Sequence, residues 1–168
     1  RIICRRFFWL PKFIMISKLK LRKKCLEKRE IIFKNNGNDC LKKIDLDLII
    51  SEMKSKLIIS SIGIYHPVKT EISPLKIIDI CKKLSIEICL PVIYKETNEL
   101  FFSKFDDEKS LKKNKYGIFE PIKVQKTTPN VIFVPIVGFD KNLNRLGYGK
   151  GYYDRTILKL RKLKKIFV

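Results

Sequence analysis

Apolar residues along this chain follow two spacings, that of amphipathic helices and that of short buried strands. Helical spacing predicts four helices, over residues 15–34, 41–56, 73–84 and 151–162. Runs rich in isoleucine, valine and phenylalanine predict four strands, over residues 57–65, 86–93, 99–105 and 131–137. Because strands separated by helical segments assemble into a sheet that helices cover, we predict an α/β fold of three layers, a mostly parallel sheet with helices on both faces.

Polar residues set the boundaries between these elements. Residues 35–38, Asn-Asn-Gly-Asn, end the first helix, and Ser73 with Pro74 supplies an N-cap and a first-turn proline for the third. The charged stretch 106–115 predicts a loop. On the second helix, the predicted buried side holds Ile44, Leu48, Ile49 and Ile50.

The two ends of the chain differ from its middle. Residues 1–14 contain no acidic residue and lack the helical pattern that begins near Met15, so we predict a non-domain N-terminal extension. Translated upstream sequence, an arginine-rich transit segment and a signal peptide are its possible origins. Residues 15–168 are predicted to form a single domain, which we expect to be incomplete at its C-terminus because residues 164–168 are typical of the start of a strand.

The charge of the chain is strongly positive, with 37 Lys and Arg residues against 17 acidic ones and a formal net charge of +20. Such a charge usually suggests a nucleic acid or an anionic membrane as partner. The lysines are scattered over every segment, however, and the chain contains no alanine, which indicates a nucleotide bias of the genome. We therefore predict no nucleic-acid and no membrane partner, although the overall field should attract anionic metabolites.

Cysteine and histidine usage restricts the chemistry. The five cysteines form no Cys-x-x-Cys pair, which favours free, buried thiols in a reducing compartment. His66 is the single histidine of the sequence, so neither a Cys/His zinc site nor a Ser-His-Asp triad is expected. No apolar run has the roughly 18 to 20 residues of a membrane-spanning helix. We predict a soluble, cytoplasmic protein.

The candidate chemistry lies in residues 135–155, which begin at the end of a predicted buried strand. Three glycines at alternate positions, 147, 149 and 151, are flanked by Arg145, Lys150 and Arg155, with Asp154 at the far end. Glycines let backbone N–H groups approach an oxyanion, arginine and lysine supply charged donors, and a carboxylate can hold Mg²⁺. The spacing matches neither a Walker loop nor a dinucleotide fingerprint. A phosphate cradle is predicted, the alternative being a basic surface loop.

The string Arg-Leu-Gly-Tyr-Gly-Lys-Gly-Tyr-Tyr-Asp, residues 145–154, resembles the motif of the 5-formyltetrahydrofolate cyclo-ligase (5,10-methenyltetrahydrofolate synthetase) family. Two positions depart from that motif: Ile136 replaces a glycine, and Asn142-Leu143-Asn144 replaces a glycine-containing turn, which asparagine's tolerance of positive φ should still allow to close. Further segments resemble the family at residues 16–29, 58–71, 89–92 and 116–121, so the resemblance covers about residues 15–168.

The resemblance implies an ATP-dependent enzyme that cyclises 5-formyltetrahydrofolate, including its polyglutamylated form, to 5,10-methenyltetrahydrofolate with release of ADP and phosphate. It implies Lys150 and Tyr152 as catalytic residues, Mg²⁺ as cofactor and Asp154 as metal ligand. The implied ATP-binding residues are Lys18, Arg22, Arg145, Gly147, Tyr148, Gly149, Lys150, Gly151, Tyr152 and Tyr153. The implied substrate-binding residues are His66, Glu71, Tyr116, Tyr148, Gly149, Lys150, Gly151 and Tyr152. We expect a monomer.

Other interpretations of the same residues remain open at this level. Lys18 and Arg22 could be two of many cations on a solvated helix, and Asp154 could simply cap or salt-bridge the helix that begins near Gly151. The whole chain could be a basic nucleic-acid-binding module, or a truncated, catalytically impaired homologue of the family.

Overall fold

The computed structural model describes residues 12–36, 45–94, 96 and 99–162, with the side chains of all of them except residues 12–16 and 36. The predictions for residues 1–11, 37–44 and 163–168, including the position of Ile44, therefore lie outside the described part. Four helices are present in it: α1 Lys12–Asn36, α2 Leu46–Lys56, α3 Ile77–Lys83 and α4 Tyr152–Lys162. The strands are β1 Ser61–Gly63, β2 Glu87–Tyr94, β3 Glu99–Lys104, β4 Leu111–Lys113, β5 Phe119–Pro121, β6 Lys126–Thr127, β7 Val131–Ile132, β8 Gly138–Phe139 and β9 Arg145–Leu146.

The central sheet has five strands in the order β6-β3-β2-β1-β7. Strand β1 pairs in parallel with both β2 and β7, with Ile62 opposite Ile88 on one side and Val131 on the other. Strand β3 runs antiparallel to β2 and to β6, so it alone in this sheet opposes the direction of the other strands. The sheet is thus mixed but mostly parallel, which confirms the predicted α/β class.

Helices cover both faces of this sheet. Side chains alternate across a strand, so Ile88 and Leu90 of β2 face one side and Cys89 faces the other. On the first side these residues pack with Ile50 of α2 and Ile77 of α3. On the second side Cys89 lies in a smaller cluster with Phe102 and Ile132, against which Tyr153 and Leu160 of α4 pack. The predicted three-layer arrangement is confirmed.

The predicted buried side of the second helix was partly wrong. Leu48 and Ile49 are 55% and 41% exposed, whereas Ile50 is fully buried. Leu46 and Met53, with Ile50, form the stripe that packs on the core, at the i, i+4, i+7 spacing of one helix face. An Ile-Ile pair cannot place both side chains on one face because successive residues point about 100° apart.

Four further segments differ from their predictions. The strand predicted over residues 57–65 is limited to β1. The third helix begins only at Ile77, after a turn in which Ile77 N donates to Pro74 O, so Ser73 and Pro74 are not its N-cap and first turn. The charged stretch 106–115 contains a 3₁₀ turn, Glu108–Ser110, and strand β4, which pairs antiparallel with β5 in a hairpin. Its turn is closed by Gly117 at φ 72° and by the Asn114 side chain, which accepts the N–H groups of Tyr116 and Ile118. Residues 131–137 form a strand only at β7; beyond it Pro135 has no N–H for a ladder bond.

Helix α1 lies across the loops rather than over the sheet. Its side chains over residues 17–35 are exposed except for one stripe at i, i+4, i+7, i+8, i+11 and i+15: Lys18, Arg22, Cys25, Leu26, Arg29 and Phe33. Gly138 approaches this stripe so closely that an added Cβ would lie 3.0 Å from the Cys25 Sγ atom. Among the helices that the structure describes, none is long and apolar enough to cross a bilayer.

Candidate active site

The glycine-rich loop connects β9 to α4 and has a strained backbone that glycine relieves. Gly149 and Gly151 have φ values of 98° and 69°, in the left-handed region that side chains disfavour. An added Cβ at Gly149 would lie 3.1 Å from the Arg22 guanidinium carbon, and one at Gly151 would lie 2.8 Å from Arg155 Nη1. The loop therefore requires glycine both for its backbone and for the close approach of two arginines.

Three arginines hold this loop through its carbonyl groups and through the preceding chain. Arg22 Nε donates to Gly147 O at 2.8 Å, and Arg155 Nη2 donates to Lys150 O at 2.8 Å. Arg145 Nη1 donates to Pro135 O at 3.1 Å. Because guanidinium groups only donate hydrogen bonds, they occupy carbonyl oxygens and bring positive charge to the loop.

In the turn of the β8–β9 hairpin, which precedes the loop, we expected an asparagine at positive φ, and this expectation was wrong. Leu143 is the residue with φ 60°, between Asn142 and Asn144. The Asp140 carboxylate stabilises the turn by accepting from the backbone N–H of both asparagines, at 2.9 and 2.8 Å, and from Asn144 Nδ2 at 2.9 Å. These bonds, led by the Asn144 side chain, hold the pKa of Asp140 below its usual value.

Charged groups meet where α1 passes the start of α4. Arg145 forms an ion pair with Asp154, whose side chain is 59% exposed. Burial and the neighbouring Arg22 lower the pKa of Lys18, and Asp154 partly offsets this effect. Arg22 thus contacts the loop directly, and Lys18, on the same side of α1, lies close enough to Arg22 and Asp154 for their charges to act on it.

The metal-binding prediction for Asp154 depends on a single carboxylate. Among the described residues there is no group of three or more His, Cys, Asp or Glu side chains that could hold a metal ion. One exposed carboxylate is enough for Mg²⁺ only when the ion is bound together with a nucleotide. Phosphate oxygens and waters then supply the remaining ligands of the ion. Asp154 as a metal ligand stays a prediction.

Lys150 lies beside two tyrosines. Its Nζ atom is 4.1 Å from the centre of the Tyr116 ring, within the range of a cation–π contact. Tyr152 hydrogen-bonds Tyr116, and this bond raises the pKa of Tyr152 and lowers the pKa of Tyr116, to which Lys115 also contributes. The predicted residues Lys150, Tyr152 and Tyr116 therefore lie together, where the β4–β5 hairpin meets the glycine loop.

Glu71 lies in a buried polar site on the other side of the loop. It is 7% exposed, and its Oε2 atom accepts from the Val68 N–H at 2.8 Å. Burial, the hydrogen bond to Glu71 and its charge raise the pKa of Tyr148 to about 12. Burial and the charge of Glu71 raise the pKa of Tyr65 to about 12 and raise that of Tyr153 as well.

Arg29 joins this buried site to α1, although no motif of the sequence predicts it there. Its Nη2 atom donates to Tyr148 Oη at 2.8 Å, and its Nε atom donates to Thr70 Oγ1 at 3.1 Å. Its position eleven residues after Lys18 and seven after Arg22 puts it on the same helix face, a signal that was available in the sequence.

His66 lies near Glu71 in sequence but packs on Phe119 of β5, with ring centres 4.4 Å apart.

The fold and this loop define a class of protein: an α/β domain with a cationic, glycine-rich loop between the sheet and a helix. A model of the 5-formyltetrahydrofolate cyclo-ligase family matches residues 14–166, and the chain belongs to this family of ligase enzymes. The solved structure of a 5,10-methenyltetrahydrofolate synthetase from Mycoplasma pneumoniae is similar, with TM-score 0.60 and 25% identity over 85% of this chain and 78% of that one. The synthetase from Aquifex aeolicus has TM-score 0.59 and 29% identity, over 89% and 73% of the two chains.

Curated relatives carry the same enzyme name. The chain is 36% identical over 103 residues to the 5-formyltetrahydrofolate cyclo-ligase of Haemophilus influenzae, covering 58% of this chain and 55% of the relative. It is 31% identical over 149 residues to that of Mycoplasma genitalium, covering 85% and 78%. The chain thus spans about half of the Haemophilus relative and about three quarters of the Mycoplasma one.

Proposed function

We propose that this protein catalyses the ATP-dependent cyclisation of 5-formyltetrahydrofolate to 5,10-methenyltetrahydrofolate, with release of ADP and phosphate. The observation that carries the proposal is the joint placement of a cationic glycine loop and a buried glutamate, linked by Tyr148. The loop suits a polyphosphate and the glutamate suits a pterin, and the reaction requires both ligands side by side. The names of the relatives support the same activity.

The ATP site of this proposal uses the loop and the near end of α1. Lys18, Arg22 and Lys150 would bind the phosphates, since all three lie at or face the glycine loop. Gly149 and Gly151, at positive φ, let the Arg22 and Arg155 side chains lie against the loop, so that positive charge is close to its backbone N–H groups. Phosphoryl transfer depends mostly on positioning and on stabilising charge, so a cluster of fixed cations is the appropriate machinery.

The folate site uses Glu71 and the tyrosines that surround it. A carboxylate can accept two N–H donors from the amide edge of a pterin, and burial strengthens such bonds because water no longer competes. Tyr116 would contribute its ring, which is 41% exposed on the β4–β5 hairpin and lies beside Lys150 of the loop. His66, on its contact with Phe119, would line the outer part of the same site.

The proposed chemistry has two steps. The formyl oxygen attacks the γ-phosphorus, the bond to the bridging oxygen of ADP breaks, and the lone pair of N5 forms an iminium phosphate. N10 then attacks the formyl carbon, the C–O bond breaks, phosphate leaves and N10 loses its proton. Lys150 would stabilise charge on the transferred phosphoryl group, and the Tyr152 hydroxyl would contact the formyl group.

Magnesium, which accompanies ATP, would neutralise charge on its phosphates. Asp154 is the residue that would hold it, and its exposed side chain could contribute one oxygen while Arg145 keeps the other. A cytoplasmic, monomeric enzyme without a nucleic-acid partner completes the proposal. A nucleic-acid-binding module is not favoured by the relatives.

Product formation tests the proposal. Purified protein, 5-formyltetrahydrofolate and MgATP should give methenyltetrahydrofolate absorbance and phosphate in equal amounts. 5-Methyltetrahydrofolate, which has no formyl oxygen, is the matched control and should release no phosphate. Absence of product with 5-formyltetrahydrofolate, or equal phosphate release with both folates, would overturn the proposal.

A further inference from the structure

Arg29 reaches three segments with one side chain. Its guanidinium donates to Thr70 Oγ1 at 3.1 Å, to Ile136 O at 3.3 Å and to Tyr148 Oη at 2.8 Å. Thr70 precedes Glu71, Ile136 follows β7, and Tyr148 belongs to the glycine loop. A planar fork with five donors can make such contacts simultaneously, which a lysine ammonium cannot reproduce in the same geometry.

The bond to Tyr148 has a defined direction. Arginine has no acceptor atom, so Tyr148 Oη must accept from Arg29, and its own proton is left to donate elsewhere. Arg29 holds this hydroxyl next to Thr70, the residue that precedes Glu71, which makes the Glu71 carboxylate its acceptor; a hydrogen bond to Glu71 is among the causes of the raised pKa of Tyr148. The chain of donors therefore runs from Arg29 to Tyr148 to Glu71, and the raised pKa of Tyr148, about 12, keeps the phenol protonated as this chain requires.

Glu71 supplies the carboxylate that the proposed function assigns to the pterin. Glu71 accepts from the Val68 N–H through Oε2 and from Tyr148, and these two bonds fix the orientation of the carboxylate. We propose that Arg29 is a positioning residue for folate, which aims the Tyr148 hydroxyl at Glu71 and so holds this carboxylate with its remaining lone pairs directed at the pterin. This inference rests on the proposed function and adds a residue to it.

The arrangement separates Arg29 from the other cations of the same stripe. Lys18 and Arg22 face the glycines and Asp154, at the phosphate end of the loop. Arg29 lies seven residues further along α1 than Arg22, about 10 Å at the helical rise, beside Glu71. Loss of Arg29 is therefore expected to affect folate, and loss of Arg22 to affect ATP.

The test compares Arg29→Met, Arg29→Lys and Tyr148→Phe with the control Lys28→Met, which removes a charge from the exposed neighbouring position. Equilibrium binding of 5-formyltetrahydrofolate is measured by calorimetry without ATP, and KM for each substrate is measured by turnover. Arg29→Met should weaken folate binding at least tenfold and leave the KM for ATP within twofold of wild type. Arg29→Lys should recover part of the loss, and Lys28→Met should bind as wild type.

The link through Tyr148 is tested by the double variant. If both residues act through one chain of hydrogen bonds, Arg29→Met with Tyr148→Phe should bind folate no more weakly than the poorer single variant. Additive losses, an equal rise in KM for ATP, or unchanged folate binding in Arg29→Met would overturn the inference. Should Arg29→Met not fold, Arg29→Lys and Tyr148→Phe decide by the same criteria. A wild-type protein that binds folate but forms no methenyl product would instead overturn the proposed activity alone.

Discussion

At the scale of single residues, the lysine and arginine side chains of the site differ in their exposure and in the groups they contact. Lys150 is exposed and lies on an aromatic ring, whereas Lys18 is partly buried beside Arg22. Arg22, Arg145 and Arg155 bind carbonyl oxygens and shape the loop. Lys18 and Lys150 are therefore the better candidates, with Arg22, for direct contact with a ligand, and Arg145 and Arg155 contribute mainly through the loop that they hold.

Replacing Lys150 by alanine should weaken ATP binding and turnover together. A hydrogen bond to a charged phosphate is worth about 2 kcal/mol, which corresponds to roughly 30-fold in affinity. Lys141→Ala, at an exposed position in the preceding turn, is the matched control and should change neither quantity. Nucleotide calorimetry and steady-state kinetics provide the measurement, and wild-type values for Lys150→Ala would contradict the assignment.

The lowered pKa of Lys18 predicts a pH dependence of nucleotide binding. Bound phosphate would favour the charged form of the Lys18 ammonium. At pH values above the lowered pKa of Lys18, which lies below the ordinary value of 10.5, ATP binding should therefore require the uptake of a proton. Affinity for ATP should therefore decrease toward alkaline pH. In Lys18→Arg, which stays charged, this decrease should be smaller; identical pH profiles for the two proteins would exclude Lys18 from the phosphate site.

At the scale of elements, the loop and α4 depend on specific backbone contacts. Thr156 of α4 is 4% exposed; its Oγ1 atom accepts from Leu100 N at 2.7 Å and donates to Leu100 O at 3.3 Å. Strand β6 pairs with β3 at residues 102 and 103, so Leu100 lies beyond that pairing. The N–H and C=O groups of Leu100 bond the Thr156 hydroxyl instead. This contact fixes α4, and with it the end of the glycine loop, against the sheet.

Thr156→Val should therefore destabilise the fold. The valine keeps the shape but leaves both buried backbone groups of Leu100 without a partner, which costs about 1 to 3 kcal/mol. Thr156→Ser retains the hydroxyl and should lose much less. Chemical denaturation would show the difference as a lower midpoint for the valine variant, and equal midpoints would contradict this account of how α4 is held.

The glycine loop allows a matched comparison of two positive-φ glycines. Gly149→Ala and Gly117→Ala both place a Cβ in the left-handed region, at φ 98° and 72°, which costs about 1 to 2 kcal/mol. Only at Gly149 would the new Cβ meet another group, the Arg22 guanidinium at 3.1 Å, because nothing lies within 4 Å at Gly117. Both variants should lose stability, but Gly149→Ala should also lose ATP affinity; equal affinities would show that Arg22 need not approach the loop.

Sequence patterns predicted the elements that depend on local periodicity and missed those that depend on pairing. Strand β2 and helix α4 lie within about a residue of their predicted bounds, because apolar runs and a glycine boundary mark them. The β4–β5 hairpin was missed because its residues are charged and partly exposed, so only their pairing identifies them as strands. The proposed site residues of the loop were predicted from its motif, and those outside the loop from other segments that resemble the family. Arg29 belongs to no such motif and is recognised by the contacts it makes across the fold.

At the scale of the whole molecule, the sheet brings the two proposed ligand sites to one side. Strands β1 and β7 run in parallel, so the chain leaves both at the same end of the sheet, toward Glu71 after β1 and toward the glycine loop after β7. Helix α1 crosses these segments and contacts both. The fold therefore accounts for how a phosphate donor and a folate could meet within one domain.

The most direct test of the central claim is the fate of the formyl oxygen. In the proposed reaction this oxygen attacks the γ-phosphate of ATP and leaves with it. With 5-formyltetrahydrofolate labelled with ¹⁸O in the formyl group and ordinary water, mass spectrometry of the released phosphate should show one ¹⁸O atom for each methenyltetrahydrofolate formed. Unlabelled phosphate would mean that water cleaves ATP, and it would contradict the proposed reaction.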